Sequence, residues 1–157
     1  MSSFKNFKHP QLLITALTHR SYLNEHKEAS ESNERLEFLG DAVLELVVSF
    51  FLYEKYPLQP EGTLTALRAK IVQTKTLAKM ARFLSIPQDL KMSKGEVESG
   101  GKNNDGILAD TLEALIGAIY LDQGLTEVTQ FIRNHLFAHL QDILASEEVI
   151  DYKSLFQ

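Results

Sequence analysis

Two pairs of acids stand at helical spacing in this chain: Glu37 and Asp41 in NERLEFLGDAV (Asn33 to Val43), and Asp110 and Glu113 in ADTLEALIGA. At roughly 100° per residue each pair occupies one face of a helix, and Glu34 falls within about 60° of Glu37. Leu36, Leu39 and Leu44 flank the first pair, and Leu108, Leu112 and Leu115 the second. Segments this apolar belong inside a fold, and a carboxylate carried inside needs something to compensate for its lost hydration. Two helices that each offer a pair of carboxylates can converge on an oxygen-lined pocket, which suits a hard divalent cation such as Mg²⁺ or Mn²⁺.

The competing reading is a solvated face, the usual fate of acids one helical turn apart. Glu25, Glu28 and Glu31 fit it, because their surroundings are polar. For Glu37, Asp41, Asp110 and Glu113 the apolar flanks favour the pocket, although the solvated reading stays open for them too. Glu45 shares the face of Glu37 one turn beyond Asp41 and reads as a surface or salt-bridged residue. Gly40 sits in mid-helix, where glycine costs roughly 1 kcal/mol relative to alanine, and so points to close approach of another backbone, with the helix carrying Ala109 to Gly117 as the candidate. His135 and His139 are an i, i+4 pair without an evident third ligand, and His19 reads as part of a buried hydrogen-bond network. A di-iron bundle needs histidine three residues after glutamate on two helices, and no glutamate here has one.

These side chains need helices to hold them, and apolar residues recur at helical spacing almost throughout, so the expected fold class is all-α. The spacing predicts helices over Pro10 to Tyr22, Asn33 to Glu54, Gly62 to Val72, Thr74 to Leu84, Ile107 to Leu121 and Thr126 to Ala145. Pro57, Pro60, Pro87 and Gly124 punctuate them. Met92 to Asn104 holds three of the eight glycines and two adjacent asparagines and reads as a loop.

The length of 157 residues, with 44% hydrophobic and 24% charged residues, suits one folded domain. The longest apolar run, Leu46 to Tyr53, is far short of the roughly 20 residues of a membrane span, and MSSFKNFKHP lacks the apolar region of a signal peptide. A soluble, cytoplasmic protein with no membrane partner is expected. The absence of cysteine excludes disulfides, thiolate metal sites and cysteine nucleophiles, so a metal must be held by oxygen or histidine. The net charge of −5 does not by itself suggest a nucleic acid as partner.

ERLEFLGDA (Glu34 to Ala42) resembles the signature of ribonuclease III, the Mg²⁺-dependent endonuclease of double-stranded RNA. Similar blocks follow in order: LTHRSYLNE (Leu17 to Glu25), EGTLTALRA (Glu61 to Ala69) and ILADTLEALIGAIYLD (Ile107 to Asp122). The resemblance implies the ribonuclease III helical fold and an endoribonuclease with Mg²⁺, or Mn²⁺ in its place. It implies Glu37, Asp41, Asp110 and Glu113 as metal-binding acids, with Asp41 and Glu113 the least replaceable. Glu34 and Glu61 match acidic positions near the cleavage valley and the subunit interface, and Phe38 matches an aromatic that enters a socket on the partner of a homodimer. Lys94 and Lys102 are the local candidates for phosphate contact. Residues 1–146 are then the nuclease domain, and 147–157 a linker with the opening (DYKSLFQ) of a truncated double-stranded-RNA-binding domain. Gly106 departs from the family, which often has serine there.

Overall fold

The computed structural model describes residue 4 and residues 6–145, so the expected linker and domain opening at 147–157 lie outside the described residues. Nine α-helices are described: α1 (Pro10–Ala16), α2 (Tyr22–Glu25), α3 (Glu34–Lys55), α4 (Glu61–Val72), α5 (Thr74–Phe83), α6 (Ile86–Asp89), α7 (Lys94–Glu98), α8 (Asp105–His135) and α9 (Leu140–Ala145). The all-α expectation holds. Among the described residues the only extended pairing is one isolated parallel bridge, between Thr18 and Lys91.

α3 and α8 form the centre of the fold and pack along each other more extensively than any other pair, with α5 laid against α8. Leu44, Val48 and Leu52 of α3 meet Leu108, Leu115 and Ile132 of α8 in the fully buried core, joined by Leu77 of α5. Glu34 and Glu37 lie in the first turn of α3 and Lys55 in its last, charges of the sign that each end of a helix favours. Pro57 then blocks continuation, and Pro60 precedes α4 in an extended conformation.

Four boundaries differ from those read off the periodicity. α1 stops at Ala16 and not near Tyr22, because the next backbone groups are diverted sideways: Lys91 donates its N–H to the Leu17 carbonyl (2.8 Å), and His19 donates to the Lys91 carbonyl (2.9 Å). The expected loop at Met92 to Asn104 contains α7, whose Ser93 cap accepts the Glu96 N–H (3.2 Å), and a 3₁₀ turn at Gly101–Asn103. Gly124 does break the helical path, with φ 89° and ψ 179°, but the two halves follow each other within α8. The last expected helix divides after His135 into a 3₁₀ turn at Phe137–His139 and α9, where the Phe137 ring stacks on Phe51 at 3.9 Å.

Candidate metal centre

α3 and α8 can touch backbone to backbone because each offers a glycine at the crossing. A Cβ on Gly40 would collide with the Glu113 carbonyl oxygen, and a Cβ on Gly117 with the Leu36 carbonyl oxygen. The partner expected for Gly40 is therefore the one observed. This contact carries the two acid-bearing turns to the same place, since Glu37 lies one turn before Gly40 and Glu113 one turn before Gly117.

Glu37, Asp110 and Glu113 each contribute a carboxylate oxygen to a group whose atoms all lie within 4.8 Å of one another. Burial pushes the Glu113 carboxyl up to about 8, with the charges of Asp41, Asp110, Glu37 and Glu45 adding to it. Glu37 is raised as well, by burial first and then by Asp110, Asp41 and Glu34. Asp110 is raised by burial, against the opposing influence of His19. Like charges this close resist joint ionisation unless a cation offsets them. Three converging carboxylate oxygens with no sulfur or imidazole among them fit a hard divalent ion of the Mg²⁺ or Mn²⁺ type.

The fourth expected ligand, Asp41, is exposed and its carboxylate lies outside that close group, yet its charge acts on Glu113 more strongly than that of any other neighbour. Glu34 is exposed and engaged with Arg20 (3.5 Å) and the Ser32 hydroxyl (2.9 Å). Glu45 pairs with Arg68 at 3.1 Å, as a salt-bridged residue should. Glu61 is exposed at the start of α4 and accepts the Thr65 hydroxyl (2.8 Å). Lys94 opens α7 and gives its backbone N–H to the Glu25 carboxylate (3.1 Å), while Lys102 is half-buried in the 3₁₀ turn. Gly106 lies in the first turn of α8, which Asn104 caps by accepting the Ile107 N–H (3.0 Å). His135 and His139 instead lie against Phe131 and Phe83, and neither joins a metal-binding cluster among the described residues.

Two polar residues that carry no sequence signal of their own hold this region together. Asn33 is buried; its side-chain amide donates to the Ala16 carbonyl (3.2 Å) and reaches Thr111 Oγ1 (3.5 Å), and its backbone N–H donates to the Thr18 carbonyl (2.9 Å). α1, α3 and α8 are thus joined beside the acids. Asp122, also buried, accepts the N–H groups of Lys8 (3.0 Å) and His9 (2.9 Å) and so fixes the entry to α1. Burial alone would raise its carboxyl, but the two N–H donors, the Gln123 amide and the charge of His9 together outweigh that and hold it below the usual range.

A family model described as ribonuclease-III-like matches residues 9–140. The chain belongs to that family. Ribonuclease 3 of Bacillus licheniformis is 50% identical over 152 residues, covering 96% of this chain and 61% of that protein. Ribonuclease 3 of Geobacillus kaustophilus is 49% identical, with the same shares of the two chains covered. The chain thus spans about three fifths of the length of these relatives. A solved structure of the nuclease domain of ribonuclease III from Campylobacter jejuni shares the fold with a TM-score of 0.81 at 43% identity, covering 87% of this chain and 92% of that one. The ribonuclease III resemblance and the helical fold it implied both hold.

Proposed function

We propose that this chain is the nuclease domain of a Mg²⁺-dependent endoribonuclease that cleaves double-stranded RNA and works as a homodimer. The observation that carries this reading is the convergence of Glu37, Asp110 and Glu113 oxygens from two helices, with Glu113 pushed up to about 8 and Asp41 beside it. Membership of the ribonuclease-III-like family supplies the reaction class. A divalent ion, when bound, supplies positive charge at a scissile phosphate and a nucleophilic water at neutral pH. Glu37, Asp110 and Glu113 would hold that ion, with Asp41 at the exposed edge of the group. Products carry 5′-phosphate and 3′-hydroxyl ends. Two sites related by a dimer axis cut the strands at offset positions and leave short 3′ overhangs.

Dimerisation is supported by a second feature of α3. Phe38, Leu46, Phe50 and Tyr53 fall within about 120° of one another around the helix and are exposed, Phe38 by 80%. An apolar stripe of this length on a helix is a surface for a partner. The solved Campylobacter jejuni nuclease domain is itself described as having a region involved in dimer formation. Glu34 and Glu61 border the cleavage valley and the interface, and Lys94 and Lys102 contact phosphates. Recognition rests on A-form shape, 2′-hydroxyls and phosphates across the minor groove. The cellular setting proposed is cytoplasmic RNA processing or decay, ribosomal RNA precursors among the substrates. No helix among the described residues is long and apolar enough to cross a membrane.

The test incubates a labelled perfect RNA duplex at low salt with the wild-type chain and with Glu113→Gln, each with Mg²⁺ and with EDTA. Low salt strengthens phosphate binding by a domain whose net charge is −5. Cleavage by wild type with Mg²⁺ alone, at a rate at least about 10³-fold above Glu113→Gln, is expected for loss of a metal-holding carboxylate. Equal cleavage by the two chains, or none by either when folded and dimeric, rejects the reading.

A further inference from the structure

His19 stands beside the acid group without belonging to it. Its main chain is fixed by the Lys91 carbonyl, which accepts the His19 N–H at 2.9 Å, and the preceding carbonyl, that of Thr18, accepts the Asn33 N–H at 2.9 Å. The ring is fixed as well. Nδ1 lies 3.2 Å from the Ser21 backbone N–H and 2.8 Å from Ser21 Oγ. A backbone N–H can only donate, so Nδ1 accepts and the proton of the neutral ring resides on Nε2. Ser21 Oγ in turn accepts the Ser93 N–H at 3.0 Å, which leaves its own hydrogen for Nδ1. The nitrogen left over is an N–H donor on a ring that lines a pocket of about 90 Å³ together with Arg20, Asn33, Glu34, Glu37, Ile107 and Asp110, where the Arg20 guanidinium is paired with Glu34 at 3.5 Å.

We propose that His19 is a positioning residue for the ion site, holding the Asp110 carboxylate in its ion-facing orientation through Nε2–H across this pocket, directly or through one water. The proposal rests on the ion-binding reading above. A carboxylate that binds an ion with one oxygen is free to swing unless its other oxygen has a donor, and outer donors of this kind change metal affinity about 10- to 100-fold when removed. Asp110 is the acid of the group that needs one: Glu37 and Glu113 lie on the two helices at their closest contact, whereas Asp110 lies a turn nearer the start of α8 and is exposed. The pocket is large enough for a bridging water, whose share of liquid volume is about 30 Å³. The electrostatic influence of His19 also opposes the upward shift that burial imposes on Asp110.

Two substitutions separate this role from simple support of the loop. Asparagine places its polar group where Nδ1 was and keeps the Ser21 contact, whereas glutamine reaches to where Nε2 was. Mn²⁺ affinity, read from the electron paramagnetic resonance of the free ion, is measured for the wild type, His19→Asn and His19→Gln, with thermal unfolding of each in EDTA. His19→Asn is expected to unfold near the wild-type temperature and to bind Mn²⁺ about 10-fold more weakly, and His19→Gln to bind within about threefold of wild type. His19→Asn binding as wild type does, His19→Gln binding as weakly as His19→Asn, or His19→Asn failing to fold would each overturn the proposal. A wild-type chain that binds no Mn²⁺ at millimolar concentration removes the ion reading together with it. Tight wild-type binding with an unaffected His19→Asn removes the His19 role alone.

Discussion

Glu113 illustrates how one residue links stability to the ion. Its carboxyl is raised from an ordinary value of 4.5 to about 8 by burial and by neighbouring acids. Between those values the folded chain holds a proton that the unfolded chain has released. The associated stability is complete below pH 4.5 and is lost as the pH rises through 8. Glu37 and Asp110 are shifted in the same direction and add to the trend. In EDTA the melting temperature should fall from pH 5 to pH 9, Glu113→Gln should flatten the fall and melt higher than wild type at the alkaline end, and Mg²⁺ should restore the wild type there. Circular dichroism melts across that range check it. A Glu113→Gln curve as steep as that of wild type would contradict the assigned shift.

At the scale of elements, α3 shows three different faces. Leu36, Gly40, Val43, Val47 and Leu52 face the core; Glu37 and Asp41 form an acidic edge; Phe38, Leu46, Phe50 and Tyr53 face outward. The acids of NERLEFLGDAV are therefore not buried in the middle of the core but stand at its border, partly covered by α8. What places them there is the glycine contact between the helices. Gly40→Ala should force α3 and α8 apart at Glu113, with a cost of roughly 1–3 kcal/mol, the usual range for overpacking a close contact. Gly117→Ala should behave likewise, through the Leu36 carbonyl. Urea unfolding gives the stability loss, and Mn²⁺ titration of either variant should show weaker binding, since the carboxylates move with their helices. Gly62→Ala is the control, because a Cβ there meets nothing within 4 Å. Equal stability of Gly40→Ala and Gly62→Ala would remove the close-contact argument.

At the scale of the whole molecule, the question is what covers the outer face of α3. Phe38 lies beside a groove of about 700 Å³ lined by Leu12, Thr15, Arg35, Leu39 and Leu121, and Leu46 and Phe50 border another of about 420 Å³ near Arg133 and Phe137. A two-fold related copy would set each stripe against the same surface of its partner. Phe38→Ala should leave the unfolding of the isolated domain nearly unchanged, because the ring is 80% exposed, while weakening self-association by more than tenfold, as expected for a central aromatic anchor. Light scattering over a concentration series measures it. A wild-type chain that is monomeric at micromolar concentration would contradict the role given to Phe38.

The sequence by itself determined the helical class, the two acid-bearing helices, the meaning of Gly40 and, through its ordered blocks, the family. These are properties of spacing: helical period, mid-helix glycine and acids a turn apart are all local, and a motif preserves them in order. The tertiary structure decided which acids meet. Glu37, Asp110 and Glu113 form the close group and Asp41 stands outside it, a distinction that depends on how far the backbones of two helices approach and at what angle. It also decided the end of α1, where the Leu17 carbonyl and the His19 N–H bond to Lys91, more than seventy residues away, instead of continuing the helix. The links made by Asn33 are likewise set by partners distant in the chain. Periodicity reports the face a residue occupies, and only packing selects the group it faces.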